Sequence, residues 1–168
     1  MKKSNSLALC ALLIALALAL SYTERFLPLQ LLIPLPGIKL GLANIVTLVA
    51  LYRLGSGKAL PIVLLRCIMG AVFGGGISGL LFSLTGGLLA LGTMTLSGRI
   101  RSFSVYGISI LGSAAHNIGQ ILAAMLLMQS PYILAYLPYL LIVSLFTGFA
   151  TATAASGILK LLPPTDRS

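Results

Sequence analysis

"VYGISILGSAAHNIGQILAAMLLM", Val105 to Met128, carries no charged side chain from end to end. As a helix rising ~1.5 Å per residue it would measure about 36 Å. The hydrocarbon core of a bilayer is about 30 Å thick. Nothing in the run punctuates it with proline. The stretch therefore predicts a membrane-spanning helix. It also holds "HNIGQ", His116 to Gln120, near its middle. Hydrophilic side chains at that depth are costly and need partners.

Working outward, five more spans can be drawn. They cover about Leu7 to Leu27, Leu40 to Leu54, Ala59 into the "GGGISG" of Gly74 to Gly79, Leu80 to Leu96, and Tyr139 to Leu162. "GSGK" (Gly55 to Lys58) and "SGRIRS" (Ser97 to Ser102) are polar turns between them. "PLQLLIPLPGIK" (Pro28 to Lys39) and "QSPYILAYLP" (Gln129 to Pro138) are more apolar loops. Composition agrees: 58% of the 168 residues are hydrophobic and 8% are charged. A soluble domain carries roughly 25% charge. The expected fold class is all-α: a polytopic membrane protein forming one transmembrane domain, residues 1–168, built as a bundle of six transmembrane helices.

The formal charge is +9. The cations stand singly between apolar runs, without a basic stripe or stacking aromatics, so nucleic acid is not the expected partner. They mark topology instead. With the N-terminus inside, Lys2, Lys3, Arg53, Lys58, Arg99, Arg101, Lys160 and Arg167 all fall on the cytoplasmic side. Arg25 and Lys39 fall outside, and Arg66 falls within a span. This bias predicts both ends in the cytoplasm. A cleaved signal peptide is a rival reading of the first run, since Lys2 and Lys3 precede it and "ALA" (Ala17 to Ala19) fits a cleavage site. Cys10 and Cys67 form no CxxC, and no histidine cluster accompanies them, so neither disulfide nor metal site is expected.

Six side chains are candidates for contact with a ligand. Arg66 is ionisable inside a span; its alternative is a snorkelling role. His116, Asn117 and Gln120 are three and four residues apart, which places them along one helix face. Interhelical hydrogen bonding is their alternative. Lys39 and Asn44 stand at the outer end of the second span, where the alternative is interfacial anchoring. Together they predict an apolar-walled pocket open to the exterior, with Tyr22 in its wall, suited to an acidic or phosphate-bearing solute. Glu24 and Arg25 read as interfacial anchors. No carboxylate lies deep in a span, which disfavours an Asp/Glu proton or cation relay. Glu24 and Asp166 are the whole acidic inventory, too few for the clustered aspartates of soluble prenyl-diphosphate synthases.

Small residues add two further expectations. Ala11, Ala15 and Ala19 recur every four residues, with Ala8 beside them, as a smooth stripe on the first helix. It suits either packing inside the bundle or docking of another membrane protein. Gly74 to Gly76 predict a broken helix or re-entrant turn.

Three blocks resemble a known family: "PLPGIKLGLANIVTLVALYRLG" (Pro34 to Gly55), "LLRCIMGAVFGGGISGLLFSLTGGLLAL" (Leu64 to Leu91) and "GISILGSAAHNIGQI" (Gly107 to Ile121). They are similar to the bacterial Gx transporter family, also labelled heptaprenyl diphosphate synthase component I. That family resembles the S components of energy-coupling factor (ECF) transporters. The resemblance implies a six-helix subunit of the bacterial inner membrane that binds a small molecule; with no paired carboxylates, nucleophile elbow or aspartate-rich motif, no enzymatic activity or cofactor of its own is expected. It implies docking, through small residues of the first helix, on a transmembrane coupling subunit with two ATPases. Two functions follow as expectations. The first is uptake of a small, anionic micronutrient or precursor, with Lys39, Asn44, Arg66, His116, Asn117 and Gln120 contacting it. The second is an accessory membrane subunit of prenyl-diphosphate or menaquinone synthesis, whose apolar groove holds an isoprenoid and whose cations hold its diphosphate.

Overall fold

The computed structural model describes residues 3–26 and 39–161, all-helical where regular and without a β-strand. The loop at 27–38, with Pro36 and Gly37, lies outside the described residues, as do Lys2 and Arg167. Helix α1 runs Lys3–Thr23 and ends in a 3-10 turn, Glu24–Phe26. Next come α2, Asn44–Leu54, and α3, Ser56–Gly70. A π-type segment, Ala71–Gly75, leads into α4, Gly76–Ser97. Then follow α5, Val105–Met128, a 3-10 segment Pro131–Tyr136, and α6, Leu137–Leu161.

Four stretches are long and apolar enough to cross a membrane: Ser6–Thr23, Ser56–Ser97, Val105–Met128 and Pro131–Leu161. The chain is accordingly read as a membrane protein. The expectation of six spans is thus not returned by length and apolarity alone. The second expected span begins at Asn44 rather than Leu40 and has only 11 residues, about 16 Å of helix. The third and fourth form one apolar stretch of 42 residues. That stretch is not one straight helix. Phe73 (φ −81°, ψ 35°) and Gly74 (φ 98°, ψ 10°) leave helical geometry, and Gly76 also has a positive φ of 61°. Such a backbone path costs a residue with a Cβ roughly 1–2 kcal/mol, which is why glycines stand there. Helical conformation resumes after Gly76, so the break extends from Phe73 to Gly76.

Beyond the break the chain folds back. A Cβ added at Gly87 of α4 would lie 3.1 Å from both Val63 Cγ1 and Arg66 Nη2 of α3. Helix α5 packs antiparallel on α4, with Gly119 against the Thr85–Gly86 backbone and Gly112 against Met94. Helix α6 packs on α5 through Ser109 Oγ, which donates to Gly148 O at 2.8 Å, and Asn117 Nδ2, which donates to Leu140 O at 2.9 Å. Helix α1 runs parallel to α3: Lys58 Nζ donates to Ser6 Oγ at 2.6 Å near one end, and Leu18 meets Gly70 near the other.

The distribution of polarity is that of a protein in lipid. Large apolar side chains such as Leu12, Ile77, Leu126, Phe146 and Phe149 face outward. Thr47, Ser109, Ser113, Ser144 and Thr151 are buried among the helices. Polar groups turned inward find partners that hydrocarbon does not supply.

Candidate functional site

The site is assembled where α1 ends and α2 begins. Gly41 takes φ 82°, and Asn44 N closes the turn by donating to Gly41 O at 2.8 Å. Leu42 N donates to the Glu24 carboxylate, which ties the end of α1 to the start of α2. Glu24 is only 4% exposed. Burial pushes its carboxyl above the ordinary value, while the Leu42 hydrogen bond and the charges of Lys39 and Arg66 pull the other way.

Lys39 is held by its backbone and by its side chain. Its N–H donates to Gln120 Oε1 at 2.7 Å, and Gln120 Nε2 donates to its carbonyl at 2.8 Å. The Gln120 amide therefore acts as a two-pronged clamp across from α5. Lys39 Nζ reaches α4 and donates to Ser83 Oγ at 2.6 Å. The lysine expected at a helix entrance is thus joined to α4 and α5.

Arg66 on α3 is 5% exposed. Its Nε and Nη2 have no hydrogen-bond partner among the described residues. It opens, with Lys39, onto a cavity of about 480 Å³ lined also by Leu18, Ala19, Ser21, Tyr22, Cys67, Gly70, Phe73 and Ser83. A buried guanidinium with unmet hydrogen-bonding capacity beside a largely apolar cavity has the chemistry that suits an anion.

His116 and Asn44 lie behind this cavity. A Cβ at Gly41 would fall 2.8 Å from Asn44 Nδ2 and 3.1 Å from His116 Cδ2. One at Gly86 would fall 2.7 Å from His116 Nδ1. The two glycines make the space the imidazole occupies. Both amide atoms of Asn44 are buried without partners among the described residues, and the His116 ring lies against the Gly86 backbone. Asn117 points the other way, to α6.

The structure thus brings Lys39, Asn44, Arg66, His116 and Gln120 together and directs Asn117 into the α5–α6 contact. Tyr22 stands in the cavity wall as expected. Glu24, read from sequence as an interfacial anchor, is instead buried beside the two cations. Its scarcity was the available signal, since Asp166 is the only other acid. Ser83 and Cys67 carry no sequence signal that would have singled them out. Ala11, Ala15 and Ala19 lie on the exposed side of α1, whereas Leu13 and Ala17 face the bundle. The alanine stripe is thus not among the buried helix contacts of the described residues. A second cavity, about 500 Å³, lies at the opposite end between Tyr52, Gly55, Thr95 and Arg99, and none of the candidate residues lines it.

A family model described as heptaprenyl diphosphate synthase component I matches residues 13–158. The chain belongs to that family. The match spans every element that lines the main cavity, and the component I family is the one indicated by the three sequence blocks. Ala11 lies just before the matched region of this component I chain. No curated protein and no solved structure matches the chain.

Proposed function

We propose that this chain is a non-catalytic, membrane-embedded binding subunit whose ligand is an amphiphilic anion, and that the anion is a prenyl diphosphate handled together with a separate synthase component. The observation that carries this reading is Arg66: nine-tenths buried, with two unpartnered nitrogens, on an otherwise largely apolar cavity beside Lys39. A guanidinium with unpartnered nitrogens beside a lysine suits phosphate oxygens, and apolar walls suit an isoprenoid. The family description supports the choice of a prenyl diphosphate and a partner component. Two carboxylates in the whole chain are too few for the aspartate clusters that hold metal–diphosphate in soluble synthases, so the chemistry is assigned to the partner.

In this reading the chain crosses the bacterial inner membrane six times, with both ends in the cytoplasm. The fold-back at Gly74–Gly76 supports two crossings in Ser56–Ser97. Helix α2 supplies a short crossing. The cations of the two polar turns set the direction.

That orientation favours a second reading. It puts the cavity in the outer half of the membrane, away from a cytoplasmic synthase. An outward-opening anion site is what uptake requires. The exposed stripe of Ala11, Ala15 and Ala19 would then dock on a transmembrane coupling subunit served by ATPases.

Mass spectrometry after mild-detergent purification separates the two. The first reading expects a prenyl diphosphate and a soluble synthase subunit. A water-soluble micronutrient, with a membrane coupling protein and ATPases, would replace it by the second.

A further inference from the structure

The main cavity is a slot rather than a bowl. Leu18, Ala19, Ser21 and Tyr22 line it from the last turn and a half of α1, Arg66, Cys67 and Gly70 from α3, and Phe73 from the break that follows α3. The hollow therefore opens between two parallel helices. Its rim lies on the outside of the bundle: Tyr22 is 54% exposed, Phe73 is 62% exposed, and Ala19 is exposed. The cations sit inward of this rim.

Volume then limits what the protein can enclose. At roughly 30 Å³ per heavy atom, the share of a water molecule in the liquid, about 480 Å³ holds a diphosphate and about one isoprene unit. A heptaprenyl tail is several times larger. We propose that the site takes a membrane-resident amphiphile whose diphosphate is held by Arg66 and Lys39, and whose tail leaves sideways between α1 and α3 into the surrounding lipid. This deepens the prenyl-diphosphate reading and rests on it. The protein would recognise the head and the first isoprene unit and ignore the length of the rest.

The experiment uses the full chain in phosphatidylcholine nanodiscs. The probes are inorganic, geranyl, farnesyl and geranylgeranyl diphosphate, the lipidic ones compared at equal mole fraction in the bilayer. Affinity is expected to rise roughly tenfold or more from inorganic to geranyl diphosphate, as burial of one isoprene unit warrants, then stay within about twofold for longer tails. Ala19→Trp should narrow the slot and weaken geranylgeranyl diphosphate by about tenfold while inorganic diphosphate binds as before. Phe73→Trp narrows it from the other wall and should do the same, which guards against a folding defect in either variant. Affinity that climbs steadily with tail length would mean an enclosed tail and overturn the proposal. So would slot variants that weaken all probes alike or none. Displacement of farnesyl diphosphate by an equal mole fraction of phosphatidylglycerol would assign the site to bulk anionic lipid and overturn it too. If inorganic diphosphate binds but tails make no difference, only the sideways exit fails. If no probe binds the unaltered chain, the prenyl-diphosphate reading fails with it.

Discussion

Arg66 and Glu24 sit in one electrostatic neighbourhood with opposite consequences for an anion. Hydrogen bonds to a charged group contribute about 1.5–3 kcal/mol, so Arg66→Ala should weaken diphosphate binding by roughly ten- to a hundredfold. Isothermal titration on the detergent-purified variant reads this directly, and unchanged affinity would remove Arg66 from the site. His116→Ala should weaken binding as well, with the protein still folded. Glu24 acts in the other direction. Its carboxyl is pushed above its ordinary value by burial, so it is protonated at pH values where a solvated glutamate is already ionised. As pH rises through that raised value, a negative charge appears beside Lys39 and Arg66 and opposes an incoming anion. Anion affinity should therefore fall relative to Glu24→Gln, whose amide oxygen still accepts from Leu42 N and whose own pH profile lacks this step. Parallel profiles for the two proteins would show that Glu24 does not face the ligand.

At the scale of helices, glycines decide how closely α4 and α5 approach. A Cβ at Gly119 would meet the backbone of Thr85 at 2.7 Å and Gly86 Cα at 2.8 Å, and backbone cannot step aside. Gly119→Ala should cost about 1–3 kcal/mol as an overpacked contact. Gly92, on the same α4, has open space around its missing Cβ. Gly92→Ala should be neutral or stabilise by up to ~1 kcal/mol through helix propensity. Thermal unfolding of the two variants in one detergent makes the comparison, and equal losses would contradict the packing described. Helix rotation also explains how "HNIGQ" divides. His116 and Asn117 are neighbours in sequence, and adjacent helical residues do not share a face. His116 turns toward Gly41 and Gly86, Gln120 toward Lys39, and Asn117 toward Leu140. The spacing of three and four residues predicts one shared helix face, and Asn117 turns away from it. Spacing does not show which neighbours flank the helix.

For the molecule as a whole, the test is sidedness. In a Cys10→Ala, Cys67→Ala background, Ser130→Cys should react with a membrane-impermeant maleimide added to intact cells, and Gly57→Cys only after permeabilisation. The reverse pattern would turn the cavity toward the cytoplasm and restore the synthase reading over uptake. Labelling of both from one side would rule out an odd number of crossings between them.

Residue order alone makes legible that this chain is helical and apolar enough to lie in a membrane, that it breaks near Gly74–Gly76, and that Lys39, Arg66 and "HNIGQ" are its costly hydrophilic groups. Length, charge and glycine placement are local properties and can be read along one dimension. Helix packing sets the rest: Glu24 is buried beside the cations, Gln120 clamps the Lys39 backbone, and Asn117 faces away. Those outcomes depend on the rotation of each helix about its axis. In a soluble protein, contrast between a wet face and a dry face reveals that rotation. Here lipid on one side and packed helix on the other are both apolar, so the pattern that would encode it is nearly absent.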